Sequence, residues 1–335
     1  MKSITKLKIK LMKFHTLNPL NKSFSATSYL KFMSTKIFKG TQTYLFDQKL
    51  SEAFHIARLL EKPLLLEGEP GTGKTKLAQE FAAQGNHPIF EVPVTSESKV
   101  SLLVSRFDEV QRLMDTQAAV ANAQMKQAGI DTQIDTGGRK VDNLDEYVHL
   151  GPLAQAFSAP GSVLLLDEID KAPRELPNNL LFLLSERRIV VPETQQTIEC
   201  EPGKMPIIVI TSNHEQDLPA PFIRRCIYMY IEFPPPERMR EIIRMHHPGA
   251  NKKIVAAAIE IFYQLRELDL TRKPSTSEIL DWISYLVQTN VLDSKVVERL
   301  KGAQTLVKHR DDRELLRSIQ EKGIESATSR KSQNW

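Results

Sequence analysis

One eight-residue stretch constrains the fold of this chain more than any other. It is a glycine-rich loop with the sequence Gly68-Glu69-Pro70-Gly71-Thr72-Gly73-Lys74-Thr75. An apolar run over 63–66 precedes the loop, and a helix-forming run over 76–83 follows it. This strand–loop–helix order directs backbone N–H groups and a helix N-terminus at a phosphate group. We therefore expect a nucleoside triphosphate here, with Lys74 at its β- and γ-phosphates and Thr75 as a Mg²⁺ ligand.

The composition is that of an ordinary globular protein. The chain has 335 residues, of which 41% are hydrophobic and 26% are charged, and this length favours two domains, or one α/β domain with a smaller one. No apolar run approaches the ~20 residues that cross a bilayer. The two cysteines, Cys200 and Cys226, are too few for a disulfide framework, so we expect a reducing compartment, the cytoplasm.

The net charge of +4 comes from the N-terminus. Residues 1–46 hold nine lysines and no acid, which leaves a charge of −5 for residues 47–335. Such a mildly acidic body gives no support for a nucleic-acid-binding surface. We expect residues 1–39 to be a basic, disordered extension. Residues 1–32 loosely resemble a transit peptide but lack arginine, so a tail or a start codon upstream of Met33 is the preferred interpretation.

A second motif follows about ninety residues after the loop. Residues 163–166 are apolar and are followed directly by Asp167 and Glu168. A buried parallel strand with this ending places both carboxylates at its C-terminal edge, where ligands bind in doubly wound folds. Asp167 is suited to hold Mg²⁺, and Glu168 is suited to polarise an attacking water.

Two later strands also have polar neighbours. The strand predicted over 206–211 ends in Ser212 and Asn213, and Asn213 either senses the γ-phosphate or simply forms a turn. Arg224 and Arg225 close a short helix before a fifth strand, predicted over 226–233. They are either a solvated pair of charges or an arginine finger for the γ-phosphate of a neighbouring subunit.

The remaining pattern predicts the elements around these motifs. They are a helix over 47–61 that starts beside the nucleotide, a buried strand over 88–94, an insertion over 101–147 that begins as a helix, a helix over 176–186 and a hairpin within 187–200. Three prolines at 234–236 mark a domain boundary. Beyond them we expect helices over 237–245, 252–268, 275–288, 294–300 and 312–322, with Ser275 and Glu278 forming a capping box, and then a disordered tail over 326–335.

These motifs together resemble the AAA+ ATPases, and among them the MoxR family. The similarity covers about residues 40–300 and is carried by 68–75, by Asp-Glu-Ile-Asp-Lys-Ala-Pro at 167–173, by 210–213 and by 221–233. The resemblance implies a three-layer α/β sandwich over 40–233, with a parallel five-stranded sheet in the order 5-1-4-3-2. It also implies a small all-α lid over 234–302, which leaves a C-terminal helix and tail over 303–335.

The resemblance also implies roles for single residues. Lys74 and Thr75 become Walker A contacts, Asp167 and Glu168 become Walker B, Asn213 becomes sensor 1, and Arg225, with Arg224 as its rival, becomes the arginine finger. The sensor 2 arginine of the family is missing, since Ser277 follows Pro274-Ser275-Thr276, and Arg272 or Lys273 is its candidate replacement.

The function implied is that of a remodelling or maturation chaperone. It would use ATP and Mg²⁺ at the interfaces of a ring, usually a hexamer, and act on a protein client or with a protein that has a von Willebrand A domain. Within the family the chain resembles the carbon-monoxide-dehydrogenase maturation type.

Two other classes of function compete with this one. A nucleic-acid motor or loader would need basic stripes, yet residues 101–147 carry eight acids against five bases, and the hairpin charge is mixed. A GTPase or simple kinase is disfavoured by Asn213, the arginine pair and the helical tail, and no Asn-Lys-x-Asp string occurs.

Overall fold

The structure is a computed structural model that describes residues 41, 44–46, 48–201, 203–291, 293, 295, 297 and 300–322. The predicted extension over 1–39 and the predicted tail over 326–335 lie outside the described residues, as does much of the helix predicted over 294–300. The described residues belong to one compact unit.

The strands of the described part are β1 (Leu64–Glu67), β2 (Ile89–Pro93), β3 (Ser105–Phe107), β4 (Val148–Leu150), β5 (Val163–Asp167), β6 (Arg188–Val190), β7 (Thr197–Glu199), β8 (Ile207–Ser212) and β9 (Ile227–Tyr230). The helices are α1 (Gln48–Leu60), α2 (Lys74–Gly85), α3 (Val100–Val104), α4 (Glu109–Gln127), α5 (Pro152–Ser158), α6 (Glu175–Glu186), α7 (Ala220–Ile223), α8 (Pro236–His246), α9 (Lys252–Glu267), α10 (Thr276–Gln288) and α11 (Arg310–Lys322). Short 3-10 turns cover Leu144–Tyr147, Ile169–Lys171 and Ala303–Thr305.

Five parallel strands form the central sheet, in the order β2-β5-β8-β1-β9. Numbered as the sheet strands occur along the chain, this is the predicted order 5-1-4-3-2, which is therefore confirmed. Because parallel strands joined by helices bury both faces, their sequences are continuous apolar runs. The side chains of Leu65, Leu164 and Val209 are accordingly fully buried.

Strand β2 differs from the prediction of a buried strand. It lies at one edge of the sheet and pairs only with β5. Of its five residues only Val92 is buried, while Glu91 and Pro93 are exposed. A proline is tolerated there because an edge strand leaves one row of backbone N–H groups unpaired.

The insertion after β2 does not begin as one continuous helix, contrary to the prediction. The short α3 gives way to β3, which pairs antiparallel with β4, and α4 extends between these two strands. Alternation over three residues is too short a pattern to be read as a strand, and the pairing partner lies some forty residues later in the sequence. The sequence also gave no prediction of α5, which follows β4.

A buried polar cluster holds the insertion together. The Asp115 carboxylate on α4 is 3% exposed, and Arg139 Nε donates to it at 2.7 Å. Tyr147 Oη and Gln111 Nε2 also donate to Asp115, each at 3.0 Å. The hydrogen bond from Arg139 holds the pKa of Asp115 below its usual value, against the opposing effect of burial. The cluster ties the polar loop of the insertion to its helix.

The predicted hairpin is confirmed, since β6 and β7 pair antiparallel with Ile189 opposite Ile198. The described residues beyond the three prolines are mostly helical. Pro236 takes the first position of α8, where its missing N–H has no partner to lose. Ser275 and Glu278 form the predicted capping box at the start of α10.

Two hydrophobic clusters lie on either side of the prolines. The first joins the sheet to the helices around it, and the second is built from α8–α11 around residues such as Phe262 and Trp282. The described part therefore combines an α/β layer structure with a following helical segment. The domain boundary at 233–234 stays an interpretation.

Candidate nucleotide-binding and hydrolysis site

The phosphate loop connects β1 to α2, and two of its glycines are required by the backbone. Gly71 and Gly73 have φ values of 77° and 87°, in the left-handed region that side chains disfavour. A Cβ on Gly71 would lie 2.3 Å from the Cβ of Ser275, and one on Gly73 would lie 3.1 Å from the ring of Tyr44. The loop is thus closely packed against Ser275 and Tyr44, so that neither glycine leaves room for a side chain.

Lys74 begins α2 and lies within the loop. Its side chain is buried, and Nζ donates to the carbonyl oxygens of Gly68 at 2.8 Å and Glu69 at 3.0 Å. Burial lowers the pKa of Lys74, while Asp170 and Asp167 act in the opposite direction. The ammonium group is therefore held by the loop backbone, close to where the sequence places the phosphates.

The two predicted magnesium ligands lie together. Thr75 Oγ1 donates to Asp167 Oδ1 at 2.8 Å, and Thr211 Oγ1 on β8 donates to the same oxygen at 2.6 Å. A hydroxyl and a carboxylate in contact are the hard oxygen donors that Mg²⁺ prefers. The donor set fits a magnesium ion bound through Thr75 and Asp167 together with a nucleotide. Within the described residues there is no cluster of three or more His, Cys, Asp or Glu side chains that could hold a metal.

Glu168 lies beside this pair in an unusual backbone conformation, with φ of 60°. A left-handed φ in a non-glycine residue is a strain that concentrates at functional sites. Its carboxylate accepts hydrogen bonds from Lys171 Nζ at 2.5 Å and Asn213 Nδ2 at 3.0 Å. Lys171 is the largest cause that lowers the pKa of Glu168, with Asn213 contributing and burial opposing. The carboxylate is therefore ionised near neutral pH, as a group that polarises water must be.

Asp170, which no sequence motif singled out, binds the segment that follows β8. Its Oδ2 accepts the backbone N–H groups of Asn213 at 3.0 Å and Glu215 at 2.9 Å. Asp170 is 2% exposed, and its Oδ1 has no hydrogen-bond partner among the described residues. The signal available in the sequence was a third acid two residues after Glu168, directly after a buried strand.

The arginine pair lies at the opposite end of the strands, where β1 and β9 begin. Arg224 and Arg225 follow α7 and precede β9, whose first residue, Ile227, pairs with Leu64 at the start of β1. The phosphate loop leaves the far end of β1. Both arginine side chains are exposed, and neither forms an ion pair with another described residue. The structure therefore brings together Lys74, Thr75, Asp167, Glu168 and Asn213 but keeps the arginines apart from them.

A cavity of about 500 Å³ adjoins the phosphate loop. Its lining includes Tyr44 before α1, residues 71–73, Phe233 and Leu280 on α10. Lys49 and Leu50 also line it, which places the start of α1 beside the loop as the sequence predicts. This volume and mixed lining are typical of a small-molecule site. No local pattern predicts Tyr44 or Leu280 at this cavity, because only the tertiary fold brings their segments to the loop.

The two candidate replacements for sensor 2 are placed elsewhere. Arg272 and Lys273 are exposed and do not line the cavity, whereas Thr276 and Ser277 at the start of α10 do. No contact among the described residues brings Arg272 or Lys273 to the phosphate loop.

Comparison with known proteins gives a consistent family. Residues 63–226 match the model of the AAA domain (dynein-related subfamily). An uncharacterised protein of Staphylococcus haemolyticus is 24% identical over 259 residues, 76% of this chain and 87% of that protein. Protein NorQ of Paracoccus denitrificans is 25% identical over 194 residues, 57% of this chain and 60% of NorQ.

Among solved structures, a Holliday junction branch migration motor, RuvB of Thermotoga maritima, matches with a TM-score of 0.45 and 17% identity. That match covers 81% of this chain and 74% of the other. It adds nothing to the sheet order described above.

The family match, the relatives and the sheet order agree. They do not test the narrower resemblance to the carbon-monoxide-dehydrogenase maturation type, which stays a prediction. Residues 63–226, just under half of the chain, therefore match an AAA domain of the dynein-related subfamily, and the similarity to NorQ supports a MoxR-like AAA+ ATPase at low identity.

Proposed function

We propose that this ATPase works as a ring in which each ATP lies between two subunits, and that hydrolysis drives the remodelling or maturation of a protein client. The observation that carries the proposal is the position of the arginine pair. The four residues of β1 span roughly 13 Å. Arg224 and Arg225 lie at the end of β1 opposite the phosphate loop, too far away to reach the phosphates of their own subunit. Two exposed guanidinium groups without ion-pair partners in the described part suit the phosphates of a neighbouring subunit.

In this proposal the chain supplies most of the reacting geometry itself. Lys74 neutralises the β- and γ-phosphates, and Thr75 with Asp167 would hold the Mg²⁺ ion, which supplies charge neutralisation when bound. Glu168 orients and polarises the attacking water, with its carboxylate fixed by Asn213. The neighbour's Arg225, or Arg224 as its rival, stabilises the negative charge that develops on the transferred phosphoryl group.

A protein client fits the exposed surface of the insertion better than a nucleic acid does. Apolar side chains of α4 are exposed, with Val110, Leu113 and Met114 each more than half accessible. The acids of the insertion outnumber its bases, which disfavours a phosphodiester backbone. The Ser105 hydroxyl at the start of β3 also donates to Glu193 of the hairpin turn at 2.7 Å, so the insertion and hairpin contact each other.

The finer points of the proposal come from the MoxR resemblance. They are a hexameric ring, Mg²⁺ as the metal, a client or partner with a von Willebrand A domain, and a cytoplasmic location. Cys200 and Cys226, both free and buried, are compatible with a reducing compartment. No helix in the described part of the chain is long and apolar enough to span a bilayer.

Subunit complementation tests the shared site. Lys74→Ala subunits cannot hold ATP, and Arg225→Ala subunits cannot supply the finger, so each variant alone should be inactive. A one-to-one mixture should regain activity, because about a quarter of the interfaces in a randomly mixed ring combine an intact loop with an intact finger.

The matched control mixes Lys74→Ala with Glu168→Gln, since both changes lie in the same half-site and no intact half-site is formed. Mixed rings, verified by native mass spectrometry, that show no recovered ATPase activity would rule out the shared site.

The client class is tested separately by affinity capture with the Glu168→Gln variant and ATP, which should hold a ring and its client together. In parallel, binding to single- and double-stranded DNA is measured against salt concentration, with and without residues 1–32. Salt-sensitive DNA binding that survives the removal of those residues would favour a nucleic-acid motor over a chaperone.

A further inference from the structure

One arginine of the helical segment contacts the phosphate loop and has no part in the chemistry described above. Arg266 lies near the end of α9, and its Nη2 is 2.5 Å from Oε2 of Glu69, the second residue of the loop. The Arg266 side chain is 10% exposed, whereas that of Glu69 is 45% exposed. A guanidinium group that is this buried requires partners, and a carboxylate is among the strongest.

The same guanidinium group contacts two other segments. Its Nη1 donates to the carbonyl oxygen of Pro274 at 2.5 Å, and its central carbon lies 3.5 Å from the centre of the Phe233 ring. Phe233 is in the linker between the sheet and the helices, and Pro274 directly precedes the N-cap of α10. A planar group with donors on two sides and an aromatic ring against its face is a geometry that lysine cannot reproduce.

The start of α10 is close-packed on the phosphate loop. Ser275, the N-cap of α10, is so near Gly71 that a Cβ there would overlap it at 2.3 Å. Thr276 and Ser277, the next two residues, line the nucleotide cavity. Because Arg266 holds the carbonyl group immediately before this N-cap, it helps to set how closely α10 approaches the loop.

A triphosphate has a direct physical route to this contact. Lys74 Nζ donates to the carbonyl oxygen of Glu69 at 3.0 Å, and Thr72 Oγ1 donates to the same oxygen at 2.9 Å. A lysine ammonium group has three donors, and phosphate oxygens compete for them. Phosphate binding at Lys74 therefore changes the hydrogen bonding of the residue whose carboxylate binds Arg266.

We propose that Arg266 is a positioning residue that couples the phosphate loop to the helical segment through Glu69, so that closure of α10 over the nucleotide depends on this pair. The proposal rests on the proposed function only in that a nucleotide occupies the loop. It gives this chain a link from loop to helices that does not need Arg272 or Lys273. The Glu69–Arg266 pair joins two segments almost two hundred residues apart in sequence.

The test compares Arg266→Ala, Arg266→Lys, Glu69→Gln and the double variant Glu69→Gln/Arg266→Ala in the full-length chain. The first measurement is hydrogen exchange over residues 268–280 without nucleotide, and the second is the release rate of a fluorescent ADP. We expect faster exchange in Arg266→Ala and in Glu69→Gln, and about tenfold faster ADP release in Arg266→Ala, the loss expected for one charge-assisted hydrogen bond. Arg266→Lys should recover part of both effects, and Arg240→Ala, an exposed arginine on α8, should change neither.

The double variant decides between coupling and two independent effects. If the two side chains act as one unit, its exchange should be no faster than that of the more affected single variant. Exchange effects that add in free energy, or a Glu69→Gln variant with wild-type exchange over 268–280, would overturn the proposal. Because Glu69 is a half-exposed surface group, Glu69→Gln keeps the test valid even if Arg266→Ala destabilises the helical core. A wild-type chain without ATPase activity would count against the proposed function instead, since the exchange measurement needs no turnover.

Discussion

The C-terminal and N-terminal ends of the strands of the central sheet differ in whether their polar side chains are bonded to one another. At the C-terminal end, Thr75 donates a hydrogen bond to Asp167, the Asn213 side chain donates to Glu168, and the Asn213 backbone N–H donates to Asp170. At the N-terminal edge Arg224 and Arg225 are exposed and form no ion pair within the described residues. We call the C-terminal end the organised edge, because its side chains bind one another, and the N-terminal end the free edge, because its two arginines have no ion-pair partner among the described residues. This difference is what the proposed shared site requires, with one half arranged within the subunit and the other half supplied by a neighbour.

The largest expected effect comes from the free edge. Arg225→Ala should reduce the turnover number by about 10³-fold at an unchanged affinity for ATP, because an arginine finger acts on the charge of the transition state. Arg224→Ala is the matched control, one residue away and equally exposed, and should have a far smaller effect. The measurement is steady-state ATPase activity together with equilibrium nucleotide binding. A larger loss in Arg224→Ala would transfer the role to that residue, and wild-type turnover in both would remove the free edge from the reaction.

The second effect comes from the organised edge. Glu168→Gln keeps the hydrogen-bonding shape of the side chain but removes its charge, so ATP should still bind while turnover falls by about 10²-fold. Single-turnover hydrolysis and nucleotide binding check this expectation. Turnover equal to that of the wild type would show that another group polarises the water.

A smaller loss of turnover should follow from Asp170→Asn, which weakens the hydrogen bonds from Asp170 to the backbone after β8. Neutralising an acceptor of two backbone N–H groups should lower turnover by about fivefold to tenfold and speed exchange of the Asn213 and Glu215 amides. Glu215→Gln is the control, because only the backbone of Glu215 contacts Asp170. Faster turnover, or unchanged amide exchange, would show that the organised edge does not depend on Asp170.

The smallest effect on ATP hydrolysis is expected from a change in the insertion, at Asp115, which lies away from both ends of the strands. The pKa of Asp115 is lowered in the folded chain, chiefly by Arg139, so the ionised form stabilises the insertion above the ordinary aspartate pKa of about 3.9. That stabilisation should be lost as the pH falls below about 4, through the lower pKa of the folded state. Limited proteolysis of residues 109–147 should therefore separate Asp115→Asn from wild type at pH 7 and show them converging at low pH. A difference independent of pH would mean that the Asp115 charge contributes nothing.

The sequence alone predicts which residues lie together at the organised edge, but it does not predict which other residues contact them. Lys74, Thr75, Asp167 and Glu168 occur in local patterns, in which a strand is followed at once by the functional group, and parallel strands necessarily meet at one edge. Asp170 follows the same strand, but its role depends on which backbone N–H groups lie opposite it. The contact of Arg266 with Glu69 joins positions that no local pattern relates.

The departures from prediction have a similar cause. Strand β2 resembles a buried strand because its sequence is apolar, yet its place at the sheet edge depends on the order of all five strands. The strand β3 is only three residues long and exists because β4 pairs with it across the whole insertion. Segments this short have no periodicity of their own to detect.

By itself the sequence determined the phosphate loop of residues 68–75, the acids that follow the third sheet strand, and the order of the sheet through its family resemblance. The loop and the acids depend on short-range rules of backbone conformation and hydrophobic pattern, whereas the sheet order was implied by the resemblance alone. Only the tertiary structure decided that Arg224 and Arg225 lie at the opposite end of β1 from the phosphate loop, that Asp170 binds the backbone after β8, and that Arg266 contacts both the loop and the residue before the N-cap of α10. These depend on contacts between distant segments, which packing brings together and no local pattern records.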